Sequence, residues 1–301
     1  MKRVTPDEVR EADVQPMSGR HAKRSANAMT VDVEDYFQVS ALAPYVRRED
    51  RASIPCRVPR NVDRILALFD AAGVRATFFT LGWVAERHPA VVRAIVAAGH
   101  ELASHGYGHE RVADLDRQRF AEDLRRAKGL LEDAGGVAVT GYRAPSFSID
   151  ARTPWAHETL ADTGHRYSSS VFPIAHDHYG VPDAPRFAYR QPCGVVEIPP
   201  TSVRLLGRNL PAAGGGWFRL LPYPVSRWSL RRVNAHDEQP GMFYFHPWEI
   251  DPEQPRYPQA DARTRFRHYL NLGRTQARLE RLLRDFAWDR VDRVFASHLG
   301  A

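Results

Sequence analysis

The chain has 301 residues, 43% of them hydrophobic, enough for one large domain or two small ones with a buried core. Its net charge of +6 raises the idea of an anionic partner, but of 42 basic residues all but Lys2, Lys23 and Lys128 are arginine, which reads as genome composition, and no dense basic run interleaves with aromatics, so nucleic acid is not an expected partner. The two cysteines, Cys56 and Cys193, sit in no CxxC or Cys/His cluster, which argues against thiolate zinc and for free thiols in a reducing compartment.

Residues 1–28 are polar and charged and lack the apolar stretch of a signal peptide. They are expected to be disordered, and the protein to be cytoplasmic. No run approaches the roughly 18 apolar residues of a membrane span. Folded structure is expected from Met29, in a single domain over 29–290.

The apolar run "AMTVDV" (28–33) reads as a buried strand that ends in the acids Asp32, Glu34 and Asp35. Asn61 is expected to cap a helix that places Val62, Ile65, Leu66 and Phe69 on one face and stops at Gly73. A strand over 74–81, a helix over 88–99 with Pro89 in its first turn, and a strand over 100–104 follow. That strand runs directly into "SHGYGH", which holds His105 and His109. A helix over 116–133, a strand and loop over 137–145, a helix over 153–164 and a strand over 165–172 continue the alternation. Strands alternating with helices mean βαβ units and a parallel sheet. From 173 to 240 prolines and a GGG at 214–216 suggest an irregular insertion. A strand at 241–246 resumes the core, and a helix over about 261–286 carries Phe266, Tyr269, Leu270, Leu279, Leu282, Leu283 and Phe286 as one apolar stripe.

The acids, the two histidines, Arg143 and His246 all fall just after expected strands, where parallel α/β folds build their sites. Two histidines and one carboxylate with open coordination positions make a catalytic rather than a structural metal set. A second carboxylate nearby could take a proton from the water such an ion acidifies. Arg143 could pair with that base and keep it ionised. His246 suits a general acid. On strand alternation Asp32 and Glu34 share one side and Asp35 faces away.

"TVDVEDYF", "SHGYGH", "GYRAPSF" and "YFHPWE", in this order, resemble the polysaccharide deacetylases of carbohydrate esterase family 4, the NodB-homology domain. With "GGGWFRLLPYP", "HPWEIDPEQPR" and the C-terminal helix, the run resembles the deacetylases found beside exosortase/PEP-CTERM exopolysaccharide loci. The resemblance implies an α/β fold, a distorted (β/α) barrel of about seven strands, and a divalent metal, usually Zn2+. It implies hydrolysis of N-acetyl groups on amino sugars of an exopolysaccharide or its precursor, with docking on exopolysaccharide assembly machinery as a further expectation. Carried over by position, His105 and His109 match the metal histidines, Asp32 the base, Arg143 the residue orienting it and His246 the acid. Adjacent-aspartate members place the metal carboxylate where this chain has Val33; Glu34 is chosen here, with Asp35 as fallback. "YSSS" (167–170) departs from members that carry an aspartate before the serines. A backbone N–H near Ser146 is expected to serve the oxyanion, and Tyr36, Trp217, Phe218 and Trp248 to line a sugar groove. The alternatives are an allantoinase-like hydrolase of a small C–N bond and a catalytically silent carbohydrate-binding domain.

Overall fold

Strand β1, Asn27–Val33, is buried along its whole length because it lies in the interior of a sheet. Both faces are therefore covered: Met29, Val31 and Val33 pack in the core, and the alternating Thr30 and Asp32 face Arg143. The computed structural model describes residues 26–176, 179–212 and 214–300; most of the expected disordered segment, 1–28, lies outside them. The strand begins at Asn27, one residue before the expected strand over 28–33 and two before Met29, where folded structure was expected to begin.

Among the described residues seven strands run parallel in the spatial order β10 (Met242–Phe245), β1, β2 (Thr77–Thr80), β3 (Glu101–Ser104), β4 (Gly141–Tyr142), β5 (Tyr167–Ser168) and β7 (Val196–Glu197). β6 (Tyr189–Arg190) adds an antiparallel edge, and β11 (Trp288–Asp289) pairs beside the start of β1. The sheet curls into a half-barrel, the α/β architecture expected. Its open side is narrowed by Thr201, whose N–H donates to the Met242 carbonyl, and by Gly214, which bridges to Tyr244. A Cβ on Gly214 would sit 1.9 Å from the Tyr244 carbonyl oxygen, so this close approach requires glycine.

The helices follow from apolar spacing and end signals. α1 (Val58–Ala71) buries Val58, Val62, Ile65 and Phe69, the last edge-on to Phe78 and Phe245. Asn61 is not its cap: it is a buried residue of the first turn, bound to Asp251. The segment expected as one helix at 88–99 is the second of two, α2 (Gly82–Arg87) and α3 (Pro89–Ala97), separated where Pro89 starts a new helix. α4 (Arg117–Gly135) is capped by Asp116, which accepts from the Arg119 N–H, and buries Phe120, Leu124, Ala127 and Leu131 as spaced. α5 is Ala156–Asp162.

The second half departs more from expectation. The span 173–240 is not uniformly irregular. It contains a two-stranded sheet, β8 (Ser202–Leu205) with β9 (Arg208–Pro211), and two helices, α6 (Gly215–Leu220) and α7 (Tyr223–Ala235). Pro224, in the first turn of α7, is a start signal rather than a breaker. The expected helix over 261–286 is two, α8 (Ala262–Tyr269) and α9 (Leu272–Asp285), broken at Asn271 in a left-handed conformation (φ 54°). Phe266 consequently leaves the apolar stripe and stands exposed, while Leu279, Leu282 and Leu283 remain in the core. No helix among the described residues is long and apolar enough to cross a membrane.

Candidate active site

The "SHGYGH" motif forms a loop, not a helical turn. β3 ends at Ser104, and Gly106 takes φ 74° with its hydrogen facing Asp123, where a Cβ would meet the carboxylate at 2.8 Å. The Tyr107 N–H donates to Asp123, and the first N–H groups of α2 (Gly82, Trp83) donate to the Gly106 and Tyr107 carbonyls. His109 then sits at φ 57°, a left-handed conformation that a non-glycine residue adopts at a cost. The outcome is that His105 and His109 stand edge to face, ring centres 5.3 Å apart. The Arg143 carbonyl accepts from His105 Nδ1 at 2.8 Å, which leaves Nε2 as the free lone pair. Burial pushes the His105 imidazole down to about 4, so it is neutral, as a metal-ligating histidine must be.

Glu34 completes the trio. The carboxylate and the two imidazoles present ligand atoms within 4.8 Å of one another, and among the described residues no other group of His, Cys, Asp or Glu does so. Strand alternation is not the reason: the chain turns after Val33, the Glu34 N–H donating to the Asp32 carbonyl. Oε2 of Glu34 is buried, lies 2.5 Å from His109 Nε2 and has no aligned hydrogen bond, an arrangement that fits two ligand atoms converging on one point. Burial pushes the Glu34 carboxyl up, but His109, His246 and His105 more than reverse this and hold it well below the usual carboxylate range. The donor set therefore fits a divalent cation, with Trp248 Nε1 donating to the other carboxylate oxygen at 3.3 Å.

Asp35 faces elsewhere. Its carboxylate accepts from the backbone N–H groups of Tyr36, Arg57 and Val58, so it caps the start of α1 from a distance. It is thus a helix cap and not the fallback ligand, because its lone pairs are occupied there. Tyr36 also leaves the groove: it is buried, with its hydroxyl donating to the Pro55 carbonyl.

Asp32, inside β1, is held by Arg143. Arg143 Nη1 donates to Asp32 Oδ1 at 2.5 Å and to Thr30 Oγ1 at 2.8 Å. Nε and Nη2 donate to the carbonyl and hydroxyl of Ser169, and the guanidinium lies 4.0 Å over the Phe79 ring. The "YSSS" segment is thus a cradle for Arg143. Glu197 of β7 accepts from the Ser170 and Val171 N–H groups and pairs with His157, supplying a buried carboxylate to a stretch that has none of its own.

The second wall carries His246. Its Nε2 lies 3.9 Å from Asp32 Oδ2 and 3.7 Å from Glu34 Oε1. Its Nδ1 is 3.0 Å from Glu249 Oε2, and Arg219 Nε donates to Glu249 Oε1 at 2.6 Å. Burial pushes the His246 imidazole down, yet Glu249, with Glu34 and Asp32 behind it, raises it to about 9. Burial pushes the Glu249 carboxyl up, and Arg219 and His246 bring it down to about 2. Arg219 also donates to the His268 and Leu270 carbonyls freed by the break between α8 and α9, while Asn271 donates to the Arg219 carbonyl. Neither Glu249 nor Arg219 was picked out from the sequence. Glu249 lies within "HPWE", three residues after His246, a spacing that could have been read.

Trp248 is a positioning residue as much as a wall. It stacks between His246 (5.2 Å) and His268 (4.4 Å) and borders the cavity. Trp217 is half-buried near His176 and does not line the cavity, and Phe218 packs edge-on to Phe243 in the core. Ser146 does line it, at φ 55° beside Phe147 at φ 48°, with its hydroxyl 2.7 Å from that of Ser40. The cavity measures about 810 Å³. Its far wall, residues 39–51, and Tyr179 lie outside the motifs, whereas Phe147 and Tyr244 on its aromatic side belong to "GYRAPSF" and "YFHPWE".

Residues 50–168 match the family model "Polysaccharide deacetylase", and residues 169–296 match "Domain of unknown function (DUF3473)". Over residues 50–168 the chain is thus similar to the polysaccharide deacetylases. A peptidoglycan deacetylase of Helicobacter pylori is 33% identical over 111 residues, 37% of each chain. A peptidoglycan-N-acetylglucosamine deacetylase of Bacillus cereus is 30% identical over 96 residues, 32% of this chain and 35% of the relative. The matches thus span about a third of the length of these relatives. In fold, the chain is similar to a structure from Mycobacterium smegmatis described as a polysaccharide deacetylase (TM-score 0.59, 20% identity, 96% of this chain and 95% of that one). It is also similar to the Puue allantoinase (TM-score 0.55, 19% identity, 92% of each). The site draws on more than the deacetylase match, since Asp32 and Glu34 precede it and His246 follows it.

Proposed function

We propose that this chain is a metal-dependent hydrolase that removes N-acetyl groups from amino sugars of an exopolysaccharide or its precursor. The observation that carries the reading is the convergence of Glu34, His105 and His109 beside Asp32, with His246 facing both acids. Two imidazole nitrogens and one carboxylate suit Zn2+. Such an ion supplies Lewis-acid polarisation of the amide carbonyl and acidifies the attacking water.

The chain's own residues do the rest. Asp32, its Oδ1 fixed by Arg143 and Thr30, keeps Oδ2 directed at the cavity to take the proton of the water. Arg143 holds that carboxylate in one orientation. His246, held as a cation by Glu249, donates a proton to the departing amine nitrogen. The products are acetate and a free amino sugar. Ser146 and Trp248 border the path of the substrate.

The cavity volume of about 810 Å³ favours a sugar chain over a small C–N substrate. The allantoinase-like reading keeps support from the shared fold alone. The silent binding-domain reading is disfavoured by the retention of base, acid and ligand set together. Membership of the exosortase/PEP-CTERM-locus group, docking on exopolysaccharide assembly machinery and a cytoplasmic location are part of the proposal and rest on the sequence reading. Metal-replete protein should release acetate from N-acetylated oligosaccharides. Release from none of a panel of such glycans would count against the reading.

A further inference from the structure

Three arginines are buried among the described residues: Arg51, Arg143 and Arg219. Two of them hold a carboxylate directly, Arg143 on Asp32 and Arg219 on Glu249. Arg51 does not. It is 5% exposed, and its Nη1 donates to the Gly108 carbonyl at 2.9 Å, beside His109. Its Nε is buried without a hydrogen-bond partner, and no carboxylate of the described residues lies within ion-pair distance. Burial and the neighbouring Arg48 disfavour its charged form, and Glu34 and Glu110 favour it without reversing this. A buried guanidinium with an unfilled donor is costly unless an anion completes it. The guanidinium borders the cavity that contains Asp32, Glu34 and His246.

The surroundings point the same way. Arg47, Arg48, Arg111, Arg263 and Arg267 line the same cavity. Arg48 is paired with Glu110 and Arg47 with Asp50, so these two have acids of their own. Besides Asp32, Glu34 and Glu249, the acids lining the cavity are Asp261, which caps α8 and accepts from the Tyr45 hydroxyl, and Asp114. The arginine excess of the chain, taken over the whole sequence as composition, thus has one place, among the described residues, where a buried guanidinium has no direct carboxylate partner and an unfilled Nε.

We propose that Arg51 is the anion-recognising residue of this cavity, and that the amino-sugar chain acted on carries an acidic group, a carboxylate or a phosphate, close to the sugar that is deacetylated. The inference rests on the deacetylase reading above, since it takes the cavity as the substrate site. Both anions offer two oxygens in the plane that a guanidinium fork matches. A role for Arg51 in stabilising the reaction oxyanion differs in its consequence: it would affect neutral and acidic substrates alike.

The test compares three probes: a neutral chitin tetrasaccharide, a tetrasaccharide alternating N-acetylglucosamine with glucuronic acid, and a chitin tetrasaccharide bearing a 6-phosphate. Acetate release is measured for the wild-type protein, Arg51→Gln and Arg51→Lys. Binding of the same probes to Asp32→Asn is followed by calorimetry, and metal content and far-UV circular dichroism check folding. The wild type should favour one acidic probe over the neutral one by about 10-fold or more in kcat/KM. Arg51→Gln should lose about 30-fold or more on that probe and stay within about 3-fold on the neutral one, with Arg51→Lys between. Which acidic probe responds separates carboxylate from phosphate. Equal rates on all three probes, or an equal loss on all three in a folded Arg51→Gln, overturns the proposal while leaving the deacetylase reading intact. Preferential binding of an acidic probe without acetate release supports the anion site and counts against deacetylation. Binding of no probe overturns the anion site.

Discussion

The two walls of the site hold their working groups by different means. On the first wall a guanidinium grips the proposed base itself: Arg143 donates directly to Asp32, and both lie on or just after central strands. On the second, the guanidinium acts at one remove: Arg219 holds Glu249, and Glu249 holds His246. The difference follows from the charges required. A base must stay an anion, so a cation beside it suffices. An acid must stay a cation, so an anion must stand beside it, and that buried anion needs a cation of its own. The extra layer explains why the second wall needs the break between α8 and α9, whose freed carbonyls anchor Arg219.

Substitutions can separate the two walls. Asp32→Asn should lower turnover by about 10³-fold while bound metal is retained, because removal of a general base costs on the order of 10²–10⁴. Acetate release with elemental analysis checks this, and surviving activity would remove Asp32 as the base. Glu249→Gln should cost less, about 10–100-fold, because His246 remains but loses the anion that keeps it charged. The same substitution has a pH signature in metal-free protein. His246 is raised from its ordinary 6.5 to about 9, so its contribution to stability is complete below 6.5 and is lost as pH rises through 9. Urea unfolding of the wild type should show that loss across pH 6.5–9, and Glu249→Gln should flatten it. Trp248→Phe keeps the stack but removes the donor to Glu34, and should weaken metal binding by about 10-fold, read by competition with a chelator. The smallest effect is expected at the helix break: Asn271→Ala, at φ 54°, should cost about 1 kcal/mol in thermal or urea unfolding.

Legibility in the sequence followed the same division. Asp32, His105, His109 and Arg143 lie at or just after expected strands, so their common end of the sheet could be inferred from order alone. Glu34 was chosen on strand alternation, and the structure brings it to the histidines through a turn after Val33. Asp35 could not be excluded by spacing, since its partners are N–H groups of a helix that begins 23 residues later. Arg219 was invisible because its significance depends on carbonyls 49 and 51 residues away. Phe266 and the break at Asn271 were missed because an apolar stripe continues in register across a left-handed residue. Tyr36 and Phe218 illustrate the limit for aromatics: near a motif, an aromatic is as readily core as groove.

The central claim is the ligand trio, and metal stoichiometry of two single variants tests it most directly. Elemental analysis of purified Asp35→Asn should find the same divalent ion content as the wild type, and Glu34→Gln should retain almost none, with both proteins folded by circular dichroism. Full metal content in Glu34→Gln, or its loss from folded Asp35→Asn, would contradict a centre built from Glu34, His105 and His109.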